Sequence, residues 1–305
     1  MNIHKPVLLT ESITALAIKP DGHYLDATFG RGGHSRAILA NLGPNGRLVS
    51  MDKDPDAIRE GERLAKEDQR FTICHASFAE LAKVAKQSGL DGKLDGVLFD
   101  LGVSSPQLDD AQRGFSFLQE GPLDMRMNPS FGVPVREWLE RADEQEIADV
   151  LWQYGEERYA KRIARAIKMA LPLHTTTELS AVVTAANPAW EKHKHPATRV
   201  FQALRIKINN ELEELKVALA SCVDVLAVQG RLAVITFHSL EDRIVKQFLQ
   251  QHEQGPQLPR EVPVMAEAFS PRLCRVGKAI TPTAQEIAEN PRARSARLRI
   301  GEKLK

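Results

Sequence analysis

The chain has 305 residues, 43% hydrophobic and 27% charged, a composition typical of globular proteins with one large domain or two ordinary ones. Its 41 basic and 40 acidic side chains give a formal net charge of +1, so a site for a polyanion has to come from local clusters. Three cysteines without a C-x-x-C pair argue against a zinc site and a disulfide framework. No signal-peptide pattern or long apolar run occurs, so we expect a cytoplasmic protein without membrane contact.

The first hundred residues alternate between strand-like and helix-like segments. After a short helix at 11–16, β-rich runs occur at 23–25, 47–51, 71–75 and 94–100, with helical segments at 36–42, 56–66 and 78–87. Such alternation predicts βαβ units and a mainly parallel sheet.

Residues 26–35 have the sequence DATFGRGGHS and are predicted to form a strand end, a glycine turn and a helix start. In an open α/β sheet this junction faces a nucleotide-like ligand. The carboxylate of Asp52, after the second strand, suits ribose hydroxyls. A dinucleotide and S-adenosylmethionine both fit this pattern, but Ser35 occupies the place of the third glycine, which disfavours the dinucleotide.

The α/β pattern stops near residue 108 and resumes after residue 208. The segment between has helical spacing, so we predict a helical domain at 108–215 inserted into an α/β domain of residues 1–107 and 216–305. A helix at 211–228 and a buried strand at 230–237 follow. Ser239 is predicted to cap a helix at 239–251, with Asp242 as the reciprocal capping carboxylate. The proline-rich tail at 254–291 is predicted as loop, and 295–300 as an edge strand.

Basic side chains cluster locally although the total charge is almost neutral. A helix over 158–169 would place Arg158, Lys161, Arg162, Arg165 and Lys168 on one face. Lys194 and Arg199 belong to a second cluster, and Arg294 to a third. Such clusters suit RNA phosphates, although a charged face is also the ordinary solvated side of a helix.

Eight motifs together resemble the bacterial ribosomal RNA small-subunit methyltransferase H family, also called MraW. They lie at 26–35, 100–109, 113–117, 121–127, 155–158, 195–199, 237–243 and 290–295. The resemblance implies a class I (Rossmann-like) S-adenosylmethionine-dependent methyltransferase fold with an inserted all-helical domain. It also implies methyl transfer to N4 of a cytidine in the decoding (P-site) region of 16S ribosomal RNA. The partner is then 16S ribosomal RNA, as free RNA, in a precursor particle or within the small ribosomal subunit.

The resemblance also implies roles for individual residues. Cofactor binding is expected from Asp26, Gly30, Gly32, Gly33, His34, Asp52, Phe78, Asp100 and Gln107. Many amino methyltransferases follow the fourth strand with an acidic or amide residue, two prolines and an aromatic, and this tetrapeptide is absent here. The groups expected at the acceptor base are therefore Asp100, Ser104, Ser105, Pro106, Asp109, Asp124 and His238, with His238 equally readable as a structural residue at a helix start.

Two other functions are compatible with parts of the pattern. One is an NAD-dependent Rossmann oxidoreductase, which the Ser35 position and the lack of a hydride-transfer site disfavour. The other is a catalytically silent RNA-binding assembly factor that keeps the cofactor pocket.

Overall fold

A computed structural model describes residues 6–189, 195–254 and 270–305. The chain forms two compact units, which we call the α/β unit (Met1–Gly102 with Leu212–Lys305) and the helical unit (Val103–Glu211). The boundaries lie a few residues before those expected from the sequence. The reason is packing, since Val103 contacts the core of the helical unit and Leu215 belongs to a core of the α/β unit.

The secondary structure is numbered in chain order. The strands are β1 (His23–Asp26), β2 (Arg47–Asp52), β3 (Phe71–His75), β4 (Leu94–Asp100), β5 (Leu226–Thr236), β6 (Leu273–Arg275) and β7 (Arg297–Lys303). The helices are α1 (Leu9–Leu16), α2 (Gly33–Asn41), α3 (Pro55–Glu67), α4 (Leu81–Gln87), α5 (Ser105–Asp109), α6 (Val135–Arg141), α7 (Glu144–Gly155), α8 (Ala160–Ala170), α9 (Thr176–Ala186), α10 (Ala197–Asn209), α11 (Glu211–Val225), α12 (Ser239–Gln254) and α13 (Ala284–Glu289).

The seven strands form one sheet in the order β3-β2-β1-β4-β5-β7-β6. Strands β1 to β5 pair in parallel, whereas β7 runs antiparallel to both β5 and β6. This topology confirms the class I Rossmann-like fold. Because parallel strands end at the same edge, the carboxyl ends of β1, β2 and β4 meet there.

Helices cover both faces of the sheet. Leu25, Val97 and Phe99 pack in one core with side chains of α4, α11 and α12. The alternate residues Tyr24 and Leu98 pack in the other core with α1, α2 and α3. Strand side chains alternate between faces, so burial on both sides produces the nearly continuous apolar run of β4.

The C-terminal part differs from the sequence-based expectation. Helix α11 ends at Val225 rather than at 228, because Leu226 already pairs with Leu94 of β4. The predicted loop at 254–291 includes β6 and α13, while residues 255–269 lie outside the described part of the chain. The predicted edge strand is the internal strand β7, since β6 pairs with its outer side.

Helices α5 to α10 form the helical unit around a single core that includes Leu151, Ile163 and Leu204. The described residues of this unit contribute no strand to the sheet. Across the described ranges of the chain, no helix combines the length and the apolarity that crossing a membrane requires.

Candidate cofactor site

Three predicted site residues end neighbouring parallel strands: Asp26 ends β1, Asp52 ends β2 and Asp100 ends β4. The sheet therefore presents three carboxylates at one edge, next to the glycine turn that leads into α2. A concentration of like charge at a sheet edge is unfavourable without a positive partner. It indicates a site for a ligand with positive groups or with several hydroxyls.

Glycine is required at the positions of this turn for different structural reasons. Gly32 has φ +72°, and a Cβ there would lie 2.6 Å from Cζ of Phe29. A Cβ on Gly33 would lie 2.2 Å from Cγ of Pro6. Gly30 has φ +55° but open space around its missing Cβ, while its N–H donates to Oδ2 of Asp52 at 2.8 Å. Gly30 thus leaves room beside the carboxylate.

Asp26 is buried and structurally engaged. Its Oδ2 accepts a hydrogen bond from Oγ of Ser35 at 2.6 Å, and its Oδ1 accepts one from N–H of Thr28 at 3.1 Å. Burial raises the pKa of Asp26 to about 6. Ser35, which occupies the place of a third glycine, therefore holds the strand-end carboxylate in place.

Asp100 is the least compensated carboxylate of the edge. Its backbone N–H donates to Oγ1 of Thr28 at 2.6 Å, but its buried Oδ1 has no hydrogen-bond partner among the described residues. Burial, followed by the negative charges of Asp26 and Glu241, raises the pKa of Asp100 to about 8. A buried carboxyl oxygen without a donor fits a cationic ligand, because a positive group would stabilise its charged form.

His34, at the start of α2, faces the same carboxyl group. Its Nδ1 lies 3.6 Å from Oδ2 of Asp100, and its Nε2 is buried without a hydrogen-bond partner in the described parts of the chain. Burial lowers the pKa of His34 to about 4. Near neutral pH the imidazole is thus uncharged and does not neutralise Asp100.

Asp52 is the last residue of β2, and Phe78 begins a short 3-10 helix after β3. The carboxylate of Asp52 accepts hydrogen bonds from N–H of Gly30 and of Asp54, both at 2.8 Å, and burial raises its pKa. Phe78 packs edge-on against Phe99, with ring centroids 5.9 Å apart. Each oxygen of Asp52 accepts one bond from the backbone, and a carboxylate oxygen has capacity for a second.

His238 follows β5, and the predicted cap of the next helix is wrong in detail. The carboxylate that accepts from N–H of Phe237 and of His238 belongs to Glu241, at 2.8 and 3.3 Å. Nε2 of His238 lies 3.0 Å from the other oxygen of Glu241. Asp242 instead binds Arg297 and Arg299 of β7, because its side chain projects toward that strand. Nδ1 of His238 accepts a hydrogen bond from N–H of Glu241 at 3.4 Å, and this contact at the start of α12 favours the structural interpretation of His238.

Six of the residues predicted at the cofactor or the acceptor base lie in the helical unit. Ser104 caps α5, and Oε1 of Gln107 accepts from N–H of Ser104 at 2.9 Å, so both serve the helix start. Ser105 and Pro106 form the first turn of α5 and Asp109 its last residue. Asp124 holds Arg126 through two hydrogen bonds of 2.7 Å.

The predicted basic face of the helical unit is smaller than expected. Helix α8 begins at Ala160, so Arg158 precedes it, and Lys161, Arg162 and Arg165 are exposed on it. Lys168 points elsewhere: its Nζ donates to the carbonyl oxygen of Ala142 at 2.8 Å. Of the other predicted RNA-binding residues, Arg199 is half-buried on α10, Arg294 is exposed in the α/β unit, and Lys194 lies outside the described residues.

Comparison with known proteins gives a family. The model of the MraW methylase family matches residues 1–304. The chain belongs to the MraW methylase family. A relative from Nitrosococcus oceani named "Ribosomal RNA small subunit methyltransferase H" is 59% identical over 98% of this chain and 96% of its own. One from Coxiella burnetii with the same name is 56% identical over 100% of both chains. A solved rRNA methylase structure from Streptococcus thermophilus is 11% identical, with a TM-score of 0.44 over 100% of both chains.

Membership in the MraW methylase family decides between two of the functions compatible with the sequence. The chain is a methylase, with S-adenosylmethionine as its cofactor, and not a nicotinamide-dependent oxidoreductase. The cofactor carries a positive sulfonium and a positive amino group, which would stabilise the charged forms of the strand-end carboxylates. The geometry of the α/β unit therefore fits the cofactor of the family.

Three residues of this methylase's α/β unit were not expected from the sequence. Glu241 caps α12, and Lys53 and Glu214 form an ion pair of 2.7 Å close to Phe78. Lys53 directly follows Asp52 in the sequence, so its position near the site could have been predicted. Glu214 is a helix residue far along the chain, and no local pattern distinguishes it from its exposed neighbour Glu213.

Proposed function

We propose that this chain transfers a methyl group from S-adenosylmethionine to the exocyclic N4 of a specific cytidine in the decoding region of 16S ribosomal RNA. The observation that carries the proposal is the 59% identity, over nearly the whole chain, to a relative named as a small-subunit ribosomal RNA methyltransferase. The partner is then 16S ribosomal RNA, within the small ribosomal subunit, and the site of action is the cytoplasm.

The cofactor supplies an activated methyl group on a positively charged sulfur. In-line transfer of such a group needs alignment and exclusion of water more than acid or base help. In this proposal Asp52 accepts hydrogen bonds from the ribose hydroxyls and Phe78 flanks the adenine. Gly32, Gly33 and His34 hold the methionine part, with Asp26 and Gly30 beside them in the sequence, and Asp100 and Gln107 are proposed to close the pocket.

The acceptor amine of cytosine is a weak nucleophile, because its lone pair is delocalised into the ring. We assign to Asp100 the role of accepting a hydrogen bond from this amine and then its proton. Burial raises the pKa of this carboxyl to about 8, so the positive charge of the bound cofactor would have to ionise it before it could accept that proton. Its affinity for a proton rises once the sulfonium charge is lost, which is also when the methylated amine has to release one.

The remaining predicted acceptor-side residues differ in their support. Asp124 binds Arg126, and Nδ1 of His238 accepts from N–H of Glu241, which disfavours a direct role for either residue. Ser104, Ser105, Pro106 and Asp109 stay as proposed contributors from α5. Arg158, Lys161, Arg162, Arg165, Lys194, Arg199 and Arg294 are proposed to contact RNA phosphates.

The test is incubation of the purified protein with radiolabelled S-adenosylmethionine and small subunits from a strain that lacks the gene. Naked 16S ribosomal RNA forms a parallel arm. We expect label in a digest as N4-methylcytidine at one position, and none with an Asp100→Ala variant. RNA binding without any labelled nucleoside would contradict the proposal and leave the silent assembly factor. Label on another atom or base would contradict the N4 assignment alone.

A further inference from the structure

The carboxylate of Glu214 on α11 joins two loops of the α/β unit. Its Oε2 accepts a hydrogen bond from Nζ of Lys53 at 2.7 Å and another from Oγ of Ser77 at 2.8 Å. The side chains of Lys53 and Glu214 are only 16% and 19% exposed. Partial burial makes this pair stronger than an ordinary surface ion pair.

Lys53 and Ser77 flank the two residues that the proposed function assigns to the adenosine half of the cofactor. Lys53 directly follows Asp52, and its Nζ lies 5.8 Å from the ring centroid of Phe78. Ser77 directly precedes Phe78, and its Oγ accepts from N–H of Ala79, which fixes the turn Phe78–Glu80. The two loops are further joined by a hydrogen bond of 3.0 Å from N–H of Ala76 to the carbonyl oxygen of Asp52.

We propose that Glu214 is a positioning residue for the adenosine half of the cofactor, acting through Lys53 and Ser77 on the Asp52 and Phe78 loops. The inference rests on the proposed function, because the cofactor has to bind at this edge of the sheet. Fixing two loops before binding reduces the entropy that the ligand would otherwise have to remove. Glu214 also supplies the negative charge that keeps Lys53 beside Phe78.

Glu213 provides a matched control on the same helix. Its Oε1 accepts from Nζ of Lys216 at 2.6 Å, but both side chains are more than half exposed and lie one helical turn apart. Replacement of Glu213 removes one carboxylate from α11 without changing a contact to the Asp52 or Phe78 loop. Glu213→Gln therefore separates the effect of the network from that of the helix charge.

The experiment measures binding of S-adenosylhomocysteine and of methylthioadenosine, which lacks the amino acid half, to the full chain by calorimetry. We expect Glu214→Gln to weaken both ligands by about tenfold, ~1.4 kcal/mol, and to raise KM for the methyl donor with little change in kcat. Glu213→Gln is expected to change neither. The Lys53→Gln and Glu214→Gln effects should be less than additive in the double variant, because both remove the same pair.

A purely structural role for Glu214 predicts a different set of results. It would lower RNA affinity and kcat together with cofactor affinity, and either result overturns the inference. Equal affinity of wild type and Glu214→Gln for methylthioadenosine overturns it as well, while the proposed function stands. Failure of the wild-type protein to bind S-adenosylhomocysteine would contradict the proposed function and the inference together.

Discussion

Nδ1 of His34 lies 3.6 Å from Oδ2 of Asp100, yet the two groups do not form an ion pair at neutral pH. Burial lowers the pKa of the imidazole to about 4 and raises that of the carboxyl to about 8, so both are neutral. A histidine beside a carboxylate usually suggests a charged pair. Here burial outweighs mutual attraction, and Asp100 becomes negatively charged only when a positive ligand favours its ionised form.

The elevated pKa of Asp100 predicts a specific pH dependence of stability. Between its ordinary value of 3.8 and about 8 the native state holds a proton that the unfolded state has lost, so the free energy of unfolding falls as pH rises. The Asp100→Asn variant has no ionisable group at this position. Its free energy of unfolding should therefore fall less steeply with pH than that of the wild type, by up to ~1.4 kcal/mol per pH unit. Denaturant unfolding of both proteins between pH 6.5 and 8 measures the difference.

Asp68→Asn is the control for this prediction. The Arg70 guanidinium beside Asp68 keeps the pKa of that carboxyl low, so it stays ionised in both states across this pH window. Its removal should shift stability without changing the slope. A wild-type slope that matches that of Asp100→Asn would show that Asp100 is already ionised in the folded protein.

Asp52→Ala is expected to weaken S-adenosylhomocysteine binding by about 1–3 kcal/mol, since it removes the acceptor for the ribose hydroxyls and frees the N–H of Gly30. Asp56→Ala, which removes a partly exposed carboxylate from the first turn of α3, serves as the control. Calorimetric titration compares the variants. An unchanged dissociation constant for Asp52→Ala would show that this carboxylate only stabilises the turn and does not bind the ribose.

Reversal of charge at Arg162 and Arg165 should lower RNA affinity about tenfold or more and reduce the salt slope by about 1 per lost phosphate contact. Both side chains are exposed on α8, so cofactor affinity and stability should stay close to wild type. The same reversal at Arg59 and Arg63 on α3 alters net charge equally. Filter binding across a salt series compares the two double variants. Equal salt dependence of RNA affinity in both would argue against RNA contact through α8.

Lys168, on the same helix α8, is expected to contribute to stability and not to RNA binding. Its Nζ donates to the carbonyl oxygens of Leu139, Glu140 and Ala142, at 3.3, 3.4 and 2.8 Å, and so completes the end of α6. Lys168→Met should lower the free energy of unfolding by about 1–2 kcal/mol. The exposed neighbour change Lys161→Met should cost less than about 0.5 kcal/mol. Equal stability of the two variants would contradict the capping role.

Local sequence patterns were enough to predict most of the parallel sheet. Strands β3 and β4 were expected with their observed bounds, because buried strands between helices leave an unambiguous apolar signal. The position of β7 was missed, since its outer neighbour β6 has three residues within a proline-rich segment. Strand order at an antiparallel edge depends on pairing between distant segments, which local propensity does not encode.

The site was predictable where a side chain follows a strand, as for Asp26, Asp52 and Asp100. It was not predictable where a long-range partner decides what a side chain does. Glu241, and not Asp242, caps α12 because Arg299 binds Asp242 from β7. Lys168 and Arg162 look equivalent on a helical wheel, and only the carbonyl groups of α6 separate them.

Strand β7 lies inside the sheet although it is the last strand in the chain. During synthesis, β1 to β4 leave the ribosome long before the segment that must insert between β5 and β6. Until then β5 has an open edge, which is available to chaperones or to unwanted pairing. The helical unit is contiguous and has no such delay. The order of synthesis therefore allows the helical unit to fold before β7, which completes the sheet of the α/β unit, has been made.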